Sequence, residues 1–263
     1  MRKRYNMNNK LFNYKRIAEG YKTRPFLHKQ VIEQLQRDMN LTHFQNGLDV
    51  GCGAGLSTKA LKLICDKVTG TDISEEMVSV ASEICSEQTF TFFVSKAEET
   101  PQPEQLYDIV TAAGVIQWVE IEAFLKNLSS LTNNEGIVLI YDFWISDKMK
   151  GVPEYTDWYQ NKYLKRFPKP SRNEIIWTNE IVCPYGFEMQ KQNTLQLEYT
   201  FNMEDFIKFM MLQSNVSIKI EGEGQNEKEI KTWFEDSLRN IFDSQEKVLF
   251  FDGYSWLLKR KFT

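Results

Sequence analysis

The chain has little of what most catalytic chemistry relies on. Only two histidines occur in 263 residues, His28 and His43, and both precede the first strand-like run. Each is expected as a surface or helix-packing residue. The four cysteines, Cys52, Cys65, Cys85 and Cys183, form no C-x-x-C pair and no metal-ligand spacing, so no metal is expected. They read as reduced thiols of a cytoplasmic protein. No run of about 18 apolar residues offers a membrane span. The N-terminal stretch is basic but has no apolar segment, so no signal peptide is expected. The net charge of −4 and pI of about 5.5 provide no basic field for nucleic acid. No G-x-x-x-x-G-K-[ST] phosphate loop is present. Internal repeats, low-complexity tracts and interdomain linkers are also missing.

What is present starts at Leu48-Asp49-Val50-Gly51-Cys52-Gly53-Ala54-Gly55, a buried-strand pattern running into a glycine-rich turn. Glycines let a backbone turn tightly and approach a ligand closely. Asp72 follows at the end of a second strand-like run, Lys67 to Thr71, where a carboxylate can accept both hydrogen bonds of a ribose diol. Leu56 stands where a dinucleotide site has its third glycine, which argues against a nicotinamide cofactor. Asp49 would repel a phosphate and suits a ligand carrying an amino group.

The surrounding pattern alternates as a doubly wound α/β sheet requires. Leu27, Val31, Ile32, Leu35 and Met39 recur at helical spacing after Pro25. Strands are expected at Leu48–Val50, Lys67–Thr71, Phe90–Val94, Asp108–Thr111 and Ile137–Tyr141. Helices are expected at Ser57–Ile64, after a Ser74 cap, and along the Ile121–Leu131 stripe. The rhythm breaks at Phe143. Residues 143–186 hold four of seven prolines and three of six tryptophans, and read as an inserted helical cap. A strand around Leu195–Tyr199, helices near 203–213 and 227–242, and a last strand from Tyr254 to Lys261 complete the pattern. At 42% apolar and 13% aromatic residues, a sizeable core is available, and one domain over 1–263 is expected.

Asp49, Gly51, Gly53 and Gly55 match the D-x-G-x-G-x-G first motif, so the chain resembles the class I S-adenosylmethionine-dependent methyltransferases. Ala18-Glu19-Gly20-Tyr21-Lys22-Thr23-Arg24-Pro25 is similar to the A-x-x-Y-x-x-x-R-P start of a subgroup that includes trans-aconitate methyltransferase-like proteins. Tyr107 to Ala113, followed by Gln117-Trp118, resembles that group's fourth motif. The resemblance implies a Rossmann-like sheet of seven strands, mostly parallel, with the last strand antiparallel at the edge. Residues 1–40 would form a helical segment over the cofactor site.

It also implies residue roles. Asp49 with the backbone at Gly51, Cys52 and Gly53 would hold the methionine part of S-adenosylmethionine, and Asp72 the ribose. Ile73 and Met77 would sandwich the adenine. Lys96, Ala97 and Glu98 would meet its edge, although many relatives have Asp where Lys96 stands. Ala112 and Ala113 would line the end of the fourth strand. Tyr14, Tyr21 and Arg24 would fold over the site, or Tyr14 and Tyr21 would simply pack the N-terminal helix. Arg24 would neutralise a carboxylate of the cofactor or of the substrate, or lie as a surface charge.

The residue types missing near the fourth strand narrow the acceptor. Gln117 stands where that group often has His; it cannot take a proton, but it can orient a polar substrate. No [ND]-P-P-[YF] motif and no acidic metal cluster follow the fourth strand. No catalytic residue is therefore assigned beyond Gln117 and Arg24 as substrate-orienting candidates. An acceptor that is already nucleophilic, such as a carboxylate, fits a chain without a base. Its anion would be held by Arg24, Lys169 or Arg172. A phenol or amine acceptor and a catalytically silent cofactor-binding protein are the alternatives. Trp118, Trp144, Trp158 and Arg172 are the substrate-contact candidates, with the aromatics equally suited to packing the cap. A small-molecule substrate and a monomer or weak homodimer are expected, with no nucleic-acid or membrane partner.

Overall fold

The computed structural model describes residues 15–40, 43–169 and 175–261. Seven strands form one sheet: β1 Phe44–Val50, β2 Cys65–Asp72, β3 Phe90–Val94, β4 Tyr107–Ala113, β5 Thr132–Met149, β6 Phe187–Phe201 and β7 Lys247–Arg260. Their order is β3-β2-β1-β4-β5-β7-β6. The first five pair in parallel, with Asp49 opposite Gly70 on one side and Thr111 on the other. β7 runs antiparallel to its neighbours. Lys150 N–H donates to Val248 O and Lys261 N–H to Gly186 O, so residue numbers fall along one strand as they rise along the other. β7 therefore lies between β5 and β6, which corrects the expectation of a last strand at the sheet edge.

The central parallel strands β1, β4 and β5 carry runs buried on both faces, which explains their near-continuous apolar sequences. Leu48, Val50, Ile109, Val110, Val138 and Ile140 are all sealed from solvent. Phe124, Leu125, Leu128 and Leu131 of the Ile121–Leu131 helix join this core. Ser74 caps the Glu75–Ile84 helix as its spacing predicts, its hydroxyl accepting from Met77 N–H at 3.3 Å.

The chain divides into two compact units. One comprises Phe26–Phe143, Asn173–Leu195 and Gly253–Thr263; the other comprises Met1–Pro25, Trp144–Arg172 and Gln196–Asp252. β5, β6 and β7 each run from one unit into the other. The stretch 143–186, expected as one inserted cap, is thus shared between the units. β5 continues straight through Phe143, where the sequence pattern suggests a break.

The second unit has an aromatic core of its own. Tyr155, Trp158, Tyr163, Phe167, Phe206, Phe234 and Phe242 are fully buried. Phe167 stacks on Phe234 at 5.6 Å, and Trp158 on Tyr163 at 5.6 Å. Each buried ring contributes about 1.5–3 kcal/mol of hydrophobic stabilisation. Their polar tips are satisfied: Trp158 Nε1 donates to Ser237 Oγ at 3.0 Å, and Tyr163 OH to Asn215 Oδ1 at 3.0 Å. The Trp158–Tyr163 segment is a π-helical turn inside this cluster.

Candidate cofactor site at the carboxyl ends of the parallel strands

The strand order reverses direction between β1 and β4, and ligands of open α/β sheets bind outside the carboxyl ends at such a switch point. The first unit gathers most of the sequence-predicted residues around that point. Gly51 and Gly53 follow β1 with φ of +66° and +51°, a left-handed geometry that side-chain-bearing residues adopt at a cost. A Cβ at Gly51 would collide with Val115, whereas one at Gly53 would project into open space. The turn is tied to β2 by Cys52 N–H donating to Thr71 O at 2.8 Å.

Asp72 closes β2. Its Oδ2 accepts from Gly53 N–H and its Oδ1 from Ser74 N–H, both at 2.9 Å. Burial pushes this carboxyl above its ordinary range, against the backbone donors that favour the anion. Ile73, next in the chain, is 50% exposed, and so is Val94, which sits opposite Asp72 in the β2–β3 register. A carboxylate flanked by open apolar side chains suits a ligand with a hydroxylated ring beside a flat base.

Asp49 is the most enclosed charge in the unit, with no exposed surface. Its Oδ2 accepts from Ser57 Oγ at 2.6 Å and Thr58 Oγ1 at 2.7 Å, and its Oδ1 from Thr111 Oγ1 at 2.8 Å. Burial raises its pKa from 3.8 to about 6, with the three hydroxyls opposing the rise. The Cys52 thiol, also buried, is pushed well up by desolvation and then by Asp72 and Asp49. It stays a neutral thiol near pH 7.

The other expected residues divide. Met77 is buried on the Glu75–Ile84 helix, with 1% of its surface exposed. Lys96 is exposed and pairs with Glu99 at 2.7 Å, and Glu98 accepts from Glu120 N–H at 2.9 Å. Ala97 packs against the core. Ala112 is buried, and Ala113 is half-buried at the end of β4. Gln117 donates through Nε2 to Asp142 Oδ2 at 3.2 Å, beside half-buried Trp118. Tyr21, Arg24, Trp144 and Trp158 belong to the second unit. There the Arg24 guanidinium lies 4.0 Å from the Tyr21 ring centroid and 5.5 Å from that of Phe209. Its Nε is buried without a hydrogen-bond partner. Trp144 is 39% exposed, and Trp158 is 1% exposed in the aromatic core. Tyr14 and Arg172 lie outside the described residues.

Three features escape the sequence patterns. Ser57, Thr58 and Thr111 surround Asp49. A charged residue inside a buried strand needs such donors, and hydroxyls eight and nine positions later were the available signal. Asp142 of β5 accepts from Phe143 N–H at 2.8 Å as well as from Gln117. His28 meets the Tyr141 hydroxyl through Nδ1 at 2.9 Å, with its ring edge-on to Tyr141 and Phe143. Burial, then Asp49 and Asp142, push the Tyr141 phenol well up. Among the described residues no group of three or more His, Cys, Asp or Glu can hold a metal ion, and no helix is long and apolar enough to cross a membrane.

Comparison with known proteins agrees with this geometry. A family model described as a methyltransferase domain matches residues 48–140. Malonyl-[acyl-carrier protein] O-methyltransferase 1 of Ilyobacter polytropus is 30% identical over 135 residues, 50% of each chain. A probable S-adenosylmethionine-dependent methyltransferase of Saccharomyces cerevisiae is 25% identical over 140 residues, 49% of this chain and 47% of the yeast protein. The aligned segments span about half the length of these relatives. A putative type II methyltransferase from Anaeromyxobacter dehalogenans shares the fold, with a TM-score of 0.64 at 18% identity over 88% of this chain and 95% of that one. Residues 48–140 thus match a methyltransferase domain, and the seven-stranded Rossmann-like sheet is shared with the Anaeromyxobacter methyltransferase.

Proposed function

We propose that the chain transfers a methyl group from S-adenosylmethionine to a carboxylate of a small acceptor, as a cytoplasmic enzyme of the trans-aconitate methyltransferase-like subgroup. The residues present fit the donor. Asp72, fixed by two backbone N–H groups, accepts the ribose hydroxyls, and exposed Ile73 covers one face of the adenine. The open space over Gly53 admits the methionine part, and the negative charge of Asp49 favours its ammonium. The donor supplies an already activated sulfonium methyl. The chain's own residues have to hold the acceptor oxygen in line and keep water out.

The observation that carries the carboxylate is Arg24. Its half-buried guanidinium donates through Nη2 to Leu212 O at 3.5 Å, keeps an unpartnered Nε and pairs with no carboxylate among the described residues, which suits it to take an anion. A carboxylate oxygen then displaces the methyl from sulfur, giving a methyl ester and a thioether without a general base. The Ilyobacter relative, which by its name acts on a malonyl group, supports an acid as acceptor. Incubating the chain with radiolabelled donor and a panel of small carboxylic acids tests this. Label in base-labile esters, lost on Arg24→Ala, is expected; turnover unchanged by Arg24→Ala overturns the anion clamp.

A second reading rests on Asp142 within β5, whose carboxylate meets Gln117 on the Ile116–Trp118 turn that follows β4. A base there suits a phenol or amine acceptor. Label in base-stable ethers or amines, abolished by Asp142→Asn, would favour it.

A further inference from the structure

Asp49 has every feature of a charge that ought to be neutral, and every feature of a charge deliberately kept. It has no solvent contact, and the strands on both sides of it are buried. Yet its two oxygens are occupied by three hydroxyl donors from three places: Ser57 and Thr58 at the start of the Leu56–Leu61 helix, and Thr111 on β4. No sequence motif asks for these hydroxyls. Alanine or valine would fill the same space, and an Asn at position 49 would avoid the charge. Hydroxyls that donate to a carboxylate stabilise the anion, because a neutral acid accepts such bonds more weakly. With both oxygens engaged, the carboxylate has little capacity left for direct contact with a ligand on the turn.

We propose that Ser57, Thr58 and Thr111 are positioning residues that hold the sealed Asp49 carboxylate in its anionic form, and that Asp49 acts on the cationic donor through the protein interior rather than by contact. This rests on the donor site described above. A charge buried beneath the glycine turn is weakly screened, so it attracts a sulfonium and an ammonium more strongly than a surface carboxylate does. The surroundings leave few other groups to answer to pH. Cys52, Cys85 and Tyr141 also feel Asp49, and burial pushes all three upward, so they remain neutral between pH 5 and 8. Asp72 is the other carboxylate nearby, and Lys59, near Cys85, is the local cation. His28 meets this region at the Tyr141 hydroxyl, through Nδ1 at 2.9 Å.

Calorimetric titration of the full chain with S-adenosylmethionine from pH 5 to 8.5 tests the proposal on wild type, Thr111→Val and Thr111→Ser. Affinity of the wild type should weaken as pH falls through about 6, where Asp49 takes its proton. Thr111→Val should move this acid limb up by about one pH unit, so that affinity drops about fivefold at pH 6 and stays within about twofold at pH 8.5. Thr111→Ser, which restores a hydroxyl, should behave as wild type. A purely structural role gives a loss independent of pH, and that result, or an unmoved limb, overturns the proposal. A second readout needs no donor: the carboxyl carbon of Asp49, followed by NMR in the ligand-free chain, should titrate at higher pH in Thr111→Val and in Ser57→Ala. An unmoved midpoint refutes the hydroxyl role even where donor binds. A wild type that binds no donor at any pH refutes the donor-site reading itself, and the NMR midpoint then decides the hydroxyl role alone.

Discussion

Replacing Asp49 with asparagine should make the chain progressively more stable, relative to wild type, as pH rises from 4 to 7. In the folded wild type the carboxyl titrates at about 6 instead of 3.8, because desolvation outweighs the three hydroxyl bonds. Between those values the folded state holds a proton that the unfolded state has lost, so wild-type stability falls as pH rises through this window. Each pH unit of separation is worth about 1.4 kcal/mol, which makes the ionised carboxylate a burden of about 3 kcal/mol above pH 6. Asparagine keeps the shape and does not titrate, so it escapes this term. Urea melts of both proteins at pH 4, 5, 6, 7 and 8 give the difference directly. It should grow by about 2.5 kcal/mol between pH 4 and 7 and level off by pH 8. A difference independent of pH would show that Asp49 is not perturbed by burial. A difference of opposite slope would show a carboxylate stabilised by the fold, and would refute the reasoning.

Other substitutions separate binding from folding. Gly53→Ala should cost about 1–2 kcal/mol of stability from backbone strain alone, since its Cβ meets no atom, yet weaken donor binding sharply; a stability screen beside calorimetry checks both. Gly51→Ala, whose Cβ collides with Val115, should lower the melting temperature further than Gly53→Ala. Asp72→Ala removes a carboxylate that two backbone N–H groups hold, and should weaken donor binding by about tenfold to a hundredfold. Ser74→Ala removes the cap on Met77 N–H and should cost about 1 kcal/mol in urea melts, with donor affinity little changed.

Local features of the fold and of the site were legible in the sequence. The β1 run into glycines, β3 at Phe90–Val94, the Ser74 cap and the 227–242 helix follow from short-range periodicity and turn chemistry, and the structure shows them. Non-local features were not. β5 begins at Thr132, although Asn133-Asn134-Glu135-Gly136 reads as a turn. Glu135 takes φ of +65°, and the β4–β5 register shifts between Tyr107 and Ile109, so the turn residues form an irregularity within the strand. β7 enters between β5 and β6 because pairing order depends on partners far away in sequence. In the sequence Trp158 suits a pocket wall and a core equally, and its neighbours Tyr163, Phe206 and Phe234 place it in the core. The hydroxyls on Asp49 come from residues 57, 58 and 111, and no single window of sequence contains them.

We infer that the turn from Gly51 to Gly53, closed by Asp72, binds S-adenosylmethionine. Titrating the chain in a calorimeter at pH 8 with S-adenosylmethionine, and in parallel with NADH, tests it most directly. Saturable binding of S-adenosylmethionine at one site per chain, lost on Asp72→Ala and absent for NADH, is the predicted result. No heat with S-adenosylmethionine, or binding of NADH at the same turn, would contradict it.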